Sequence, residues 1–270
     1  MMRIRKSIII TVMIAAAALL TFACAGSHSS AESAPTSGKT AAEVSRSEVY
    51  SMKSGSIVHS DVTKGKDYFH VYTIRQGDAV YKRIAGRSFK PSGKMPLSDL
   101  RYLKVLYVGF DGKTHVGEII VNRKIANKTK AVFLQLYRKK YPIKSMKLID
   151  DYYKKCGEDG NKADWRSMEV DNTSAFNYRY ITHTRNLSNH SWGRAIDLNP
   201  RENPYSKRVN GVWKAIDHSP KLDKYAQHRS SGIPHVITRK DTAYKTFVNA
   251  GFFWGGNWIG TPDYQHFEFR

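Results

Sequence analysis

The 270-residue chain has little cysteine, little acid and, beyond its first 25 residues, no long apolar run. Two cysteines, Cys24 and Cys156, are too few for a disulfide scaffold or a cysteine-based zinc site, so any metal must be held by histidines and carboxylates. Only 23 Asp+Glu stand against 44 Lys+Arg, a formal charge of +21. Such a surplus predicts attraction to polyanions without saying which. A membrane span needs roughly 20 consecutive apolar residues, and none occurs after residue 25. What is present, 41% hydrophobic and 12% aromatic residues, is enough for a core and excludes a disordered polymer. At roughly 100–200 residues per domain the length suits one generous domain, or one domain with a smaller attachment.

The start of the chain carries an address. Arg3, Arg5 and Lys6 precede an almost wholly apolar stretch from Ser7 to Ala23, followed by small residues. That layout predicts a secretory signal peptide over residues 1–23, with a single membrane anchor as the competing reading. Leu20-Thr21-Phe22-Ala23-Cys24 resembles a bacterial lipoprotein cleavage site, which would make Cys24 the lipidated terminus. Ordinary cleavage after Ala25 fits Ala23-Cys24-Ala25 equally. Losing Arg3, Arg5 and Lys6 lowers +21 to +18, so the basic character is intrinsic. Cys156 then remains the one unmodified cysteine, and no intrachain disulfide is expected. The expected location is extracytoplasmic, in the cell envelope.

Residues 24–48, rich in Ser, Ala, Gly and Thr, read as a flexible tether. Residues 49–95 read as a small N-terminal extension of strands or loops, ahead of a main domain over residues 96–270. Within the latter, Leu103 to Phe110 and Val116 to Val121 flank Asp111-Gly112, which predicts a β-hairpin. Ala126 to Tyr141 places Thr129, Val132, Phe133, Leu136 and Tyr137 on one stripe and stops at Pro142, which predicts an amphipathic helix. Ser145 to Asp150 reads as a strand, Gly157 to Lys162 as a loop, and residues 203–240 as a surface insertion holding His218, His228 and His235.

Two segments carry candidate chemistry: Ser188-Asn189-His190-Ser191-Trp192-Gly193-Arg194-Ala195-Ile196-Asp197-Leu198-Asn199-Pro200 and Asp263-Tyr264-Gln265-His266-Phe267-Glu268-Phe269. His190, Asp197 and His266 would supply the three protein ligands that a catalytic zinc takes, leaving one position to water. Asp197 between Ile196 and Leu198 suits a buried strand aiming one carboxylate into a cleft, with Gly193 allowing the turn between two ligands. A His seven residues before an Asp is weak by itself.

The pattern Ser-x-His-x-x-Gly-x-Ala-x-Asp followed by Asn-Pro, then Trp-Gly-Gly-x-Trp and Asp-x-x-His-Phe-Glu, resembles the zinc D-alanyl-D-alanine carboxypeptidase family. That family includes the vancomycin-resistance dipeptidases and the phage L-alanyl-D-glutamate endolysins. The likeness runs from about Leu97 to Arg270 and takes in Asn172-Thr173-Ser174-Ala175-Phe176-Asn177-Tyr178-Arg179. It implies an α+β fold: a central antiparallel sheet carrying a zinc cleft, with helices on one face.

It further implies a Zn2+ held by His190, Asp197 and His266, Asp263 as general base, and Arg179 steadying the oxyanion. For Arg179 an ordinary ion pair with an acid remains the other reading. Trp254 and Trp258 are candidates for a substrate-binding cleft wall, with core packing the alternative. Glu268 is a candidate partner for His266, and Ser188 a hydrogen-bonding neighbour rather than a nucleophile; His183 is the one plausible wrong ligand. The implied activity is hydrolysis of peptidoglycan stem peptides, with the dipeptidase branch's Glu replaced by Asp263 as in the endolysin-like branch. The implied partners are stem peptides and anionic wall polymers, with a possible lipid anchor and no nucleic acid. A wall-binding lipoprotein that keeps the fold without catalysis is the alternative.

Overall fold

Asp111-Gly112 does close a hairpin: Gly112 takes a left-handed φ of +73°, and Gly109 N–H donates to the Lys113 carbonyl at 2.8 Å. In the computed structural model, which describes residues 46–59, 68–216, 220–230 and 232–270, the flanking strands are β2, Leu100–Val108, and β3, Thr114–Asn122. They pair antiparallel from Leu100 opposite Asn122 to Val108 opposite Thr114. The expected signal peptide, Cys24, nearly all of the tether and His218 lie outside the described residues. Among the described residues no helix is long and apolar enough to cross a membrane.

The stripe after the hairpin forms helix α3, Ala126–Arg138, which buries Thr129, Val132, Phe133 and Leu136 against β2 and β3. It ends at Arg138, and Lys140, with a φ of +51°, turns the chain off the helical path ahead of Pro142. Phe133 meets Phe247 of helix α6, Thr242–Asn249, edge-on, and Phe247 stacks on Phe267 at 4.1 Å. These rings join the hairpin layer to a second sheet in one core.

The expected single central sheet is not what forms. One three-stranded antiparallel sheet has the order β1-β2-β3, where β1 is His70–Thr73. Another has the order β6-β10-β9, where β6 is Ala195–Asp197, β9 is Phe253–Trp254 and β10 is His266–Glu268. The division is local in origin. β6 is stopped by Gly193 on one side and by Asn199, with φ of +44°, and Pro200 on the other. The short second sheet, rather than a large central one, carries the candidate ligands.

Two loop assignments change as well. Gly157 to Lys162 leads into helix α4, Gly160–Glu169, capped by Asp159, whose carboxylate accepts from Asn161 N–H at 3.0 Å. The described residues between 203 and 240 fold back on the body. Asn203 is fully buried; its side-chain oxygen accepts from Ile237 N–H at 2.7 Å and Arg229 at 2.9 Å, and its amide donates to the Asn199 and His235 carbonyls at 3.0 Å. The insertion also carries a hairpin of β7, Ser206–Val209, and β8, Val212–Ala215. Cys156 is disulfide-bonded rather than free, contrary to the expectation that the chain makes no disulfide.

Described residues of the 49–95 segment pack on the hairpin and α3: Val49, Val58, Tyr68 and Phe69 share one core with Leu103 and Phe133. β1 is the edge of the first sheet, and helix α2, Ala79–Ile84, sends Arg83 to grip Glu118 of β3 with both guanidinium nitrogens. Tyr102 donates to the same carboxylate at 2.7 Å. Burial pushes the Glu118 carboxyl up, but the Arg83 hydrogen bonds and charge outweigh it and hold it at about 2. A carboxyl depressed in the folded state stabilises the fold above its ordinary value near 4.5, and that contribution fades as pH falls towards 2. Urea unfolding is therefore expected to lose about 3 kcal/mol across that window. Glu118→Gln should flatten this part of the curve; an unchanged slope would rule the pair out as its source.

Candidate metal centre

β6 and β10 pair antiparallel with His266 opposite Asp197, so the two side chains lie side by side on one face. His190 reaches them from a 3-10 turn, Asn189–Trp192, whose N-cap Ser188 accepts from His190 N–H at 3.3 Å. The turn closes on Gly193 at a φ of +62°, where an added Cβ would sit 2.7 Å from the Asn122 backbone nitrogen. Only glycine meets both demands. Ser191 ties the same turn to the chain before it, accepting from Arg179 N–H at 2.8 Å and donating to the Arg179 carbonyl at 2.6 Å.

His190, Asp197 and His266 are all buried, and one potential ligand atom from each lies within 4.8 Å of the others. His190 Nε2 is 3.1 Å from Asp197 Oδ2 and 3.3 Å from His266 Nδ1, and His266 Nδ1 is 3.0 Å from Asp197 Oδ1. The outward nitrogens fix which atoms face in. His190 Nδ1 lies 2.6 Å from the Ala175 carbonyl, which can only accept, so that nitrogen carries the proton. His266 Nε2 faces Glu268 Oε2 at 3.4 Å, and Glu268 is itself held by Arg270 and Asn189. Neutral imidazoles arranged this way turn two lone pairs towards a carboxylate.

Three buried acceptors at such distances repel unless a cation sits among them. Protonation is one remedy: burial lowers the His266 pKa, but hydrogen bonds to Asp197 and Glu268 outweigh it and raise it to about 10. Burial likewise pushes Asp197 up, yet the adjoining His190 and His266 hold it far below the ordinary carboxylate range. A divalent metal is the other remedy, and two imidazoles with one carboxylate, each imidazole anchored through its far nitrogen, is a donor set that suits one. Among the described residues no other group of three such side chains converges.

The triad opens into a cleft of ≈1020 Å³, which Asp263, Arg179 and Trp258 also line. Asp263 Oδ1 is buried and accepts no hydrogen bond from a described residue. Burial, reinforced by the charge of Asp197, pushes the Asp263 carboxyl up to about 7. The turn carrying it is pinned by Ser206 N–H donating to the Pro262 carbonyl at 2.8 Å. Asp263 N–H in turn donates to Gly255 at 3.1 Å. Gly255 is required there, since a Cβ would meet the Asp263 carbonyl oxygen at 2.7 Å. The Trp258 ring lies 5.2 Å from that of His266.

Trp254 does not belong to the cleft wall. It is buried in the core, and its indole N–H donates to the Tyr264 carbonyl at 2.8 Å, leaving neither face nor edge for substrate. His183 lines the cleft but is exposed and stands apart from the converging ligand atoms. His228 and His235 are likewise outside the triad. Sequence reasoning missed the wall formed by α4, where Asp164 pairs with Arg179 and Trp165 is half exposed. The signal was available in Asp159, a helix-capping residue two places before Asn161.

A family model described as D-alanyl-D-alanine carboxypeptidase matches residues 182–269. The match holds the three triad residues, Asp263 and both tryptophans, and begins just after Arg179. No curated protein and no solved structure matches the chain. The resemblance read from the motifs is thus matched over roughly the last third of the chain, a shorter stretch than the motifs suggest.

Metal-stripped protein is expected to take up one divalent transition-metal ion per chain and to melt at a higher temperature when loaded. His190→Ala and His266→Ala should abolish uptake, and Glu268→Gln should weaken it 10–100-fold. Elemental analysis and calorimetric titration measure both, and full uptake by His266→Ala would exclude this site.

Proposed function

We propose that the chain is an exported zinc peptidase that hydrolyses peptide bonds in peptidoglycan stem peptides. The observation that carries this reading is the juxtaposition, in one cleft, of the inward-facing His190, Asp197 and His266 set with the unpartnered carboxylate oxygen of Asp263. The family match over the same segment supports peptide hydrolysis as the chemistry.

When bound, zinc supplies a Lewis acid and lowers the pKa of its water to about 7. Asp263, whose buried Oδ1 has no hydrogen-bond partner among the described residues, accepts a proton from the attacking water as the oxygen bonds to the peptide carbonyl carbon. Arg179 turns a fixed positive charge towards the oxyanion that develops on the substrate. The C–N bond then breaks, and Asp263 hands its proton to the departing amine nitrogen, which returns the carboxylate to its starting state. Trp258 offers an aromatic face beside His266 for the substrate chain. Glu268 and the Ala175 carbonyl hold the two imidazoles in place through the reaction.

The signal-like start would place this activity outside the cytoplasm at the envelope. There the surplus of basic residues suits anionic wall polymers and stem-peptide carboxylates. A wall-binding protein without catalysis would have no use for the buried, unpartnered Oδ1 of Asp263 beside a complete ligand set, and that observation favours the enzyme.

Zinc-loaded protein incubated with purified sacculi is expected to release new amines, and mass spectrometry of the muropeptides should show loss of a defined fragment. That fragment distinguishes a D-alanyl-D-alanine from an L-alanyl-D-glutamate bond. Asp263→Asn should keep its zinc and lose about 10²–10⁴ in turnover. Full turnover by that variant would remove Asp263 from the mechanism, and no release by the wild type would overturn the reading.

A further inference from the structure

The guanidinium of Arg179 is held by a helix that the sequence motifs do not reach. Arg179 Nη2 lies 2.8 Å from Asp164 Oδ2, with side chains only 14% and 8% exposed. Arg179 Nη1 donates to Asn161 Oδ1 at 3.5 Å, while Nε is buried and has no hydrogen-bond partner among the described residues. Asn161 and Asp164, three residues apart, are neighbours on one side of α4. The other end of the residue is fixed by Ser191, next to the candidate ligand His190. Gly160 permits the helix to approach, since a Cβ there would come within 3.0 Å of Arg179 Cβ.

We infer that Asp164 is a positioning residue: it orients the Arg179 guanidinium so that its remaining N–H groups face the reacting carbonyl. The inference rests on the peptidase reading, because it needs an oxyanion for Arg179 to meet. A long arginine side chain at a cleft wall otherwise samples many rotamers, and charge stabilises a transition state best when its direction is set beforehand. A carboxylate gripping Nη2 from the helix side, with Asn161 on Nη1, removes that freedom and leaves the second N–H of each Nη uncommitted to α4. A nearly buried guanidinium also needs a counter-charge when no substrate is present, and Asp164 provides it. Asp164 touches Arg179 and not the triad, so its loss should act on turnover rather than on metal uptake.

The test uses the full chain loaded with zinc and a synthetic muropeptide. Asp164→Ala is expected to lower kcat 10–100-fold with KM within about threefold and zinc content unchanged, somewhat less than the 10²–10³ typical of deleting an oxyanion donor outright. Asp164→Asn, whose amide oxygen still accepts from Nη2, should recover most of that loss. Asp164→Ala with kcat within threefold of wild type, or Asp164→Asn no better than Asp164→Ala, overturns the inference. If Asp164→Ala does not fold, Asp164→Glu keeps the charge and displaces it by one methylene; a drop of about tenfold in kcat is expected, and wild-type kcat overturns the proposal. Failure of the peptidase reading looks different, with wild type and Arg179→Ala equally inactive. In that event the Arg179 Nε–H resonance decides: resolved and slow to exchange in wild type and Asp164→Asn but lost in Asp164→Ala supports positioning, and identical spectra in all three exclude it.

Discussion

The site depends on two imidazole protons that point away from it. With His190 Nδ1–H committed to the Ala175 carbonyl and His266 Nε2 facing Glu268, the inner nitrogens have no choice but to converge on Asp197. Everything around them serves that orientation. The antiparallel register sets His266 opposite Asp197, and Gly193 lets the His190 turn press against Asn122 at the end of the hairpin. A cluster of acceptors so deeply buried is costly on its own, and the fold tolerates it because β6, β10 and the 189–192 turn are also locked by backbone hydrogen bonds.

The segment from Asn172 to Arg179 is where those locks meet. Ser174 exchanges backbone hydrogen bonds with Asp197, the Ala175 carbonyl holds His190, and Phe176 N–H donates to the Ile120 carbonyl of β3. Asn177 N–H then donates to the His190 carbonyl, and its side chain links Tyr153 to the Gly160 carbonyl at the start of α4. One extended stretch therefore contacts the hairpin, the ligand turn, the ligand strand and the arginine-bearing wall in succession. It explains how a sheet of only two- and three-residue strands can hold side chains to the tolerance that catalysis requires.

Legibility in the sequence followed the physics of each element. The β2–β3 hairpin and α3 were readable because a turn dipeptide and a 3.6-residue stripe are local signals. The triad was readable only through a motif, since strands as short as β6 and β10 have no period to detect. α4 was missed because Gly160 and polar Asn161, Lys162 and Asp164 open it, and its buried face is used for the cleft rather than the main core. The folded insertion was missed for a different reason: Asn203 organises it through four hydrogen bonds, three of them to residues 26 to 34 positions away, which leave no pattern in its own neighbourhood. Trp254 and Trp258 share one motif, yet only the second faces the cleft. A 3-10 turn, Gly255–Asn257, separates them, and sequence spacing alone cannot say which ring goes inward.

Asp197 and Asp263 illustrate how one cleft assigns opposite tasks to the same side chain. Both are buried, so desolvation favours the neutral form of each. Asp197 stands between two imidazoles whose hydrogen bonds and charge overcome that penalty, and it stays an anion suited to holding a cation. Asp263 faces the negative charge of Asp197 with an oxygen to which no described residue donates, and burial together with that charge moves its carboxyl up to about 7. The separation follows from partners rather than from depth. It also makes the two carboxylates interdependent: weakening the grip of His190 or His266 on Asp197 changes the field at Asp263 too. Under the proposed mechanism a substitution among His190, Asp197 and His266 would therefore alter the candidate proton-transfer group as well as the candidate metal site, so that the two could not be varied independently.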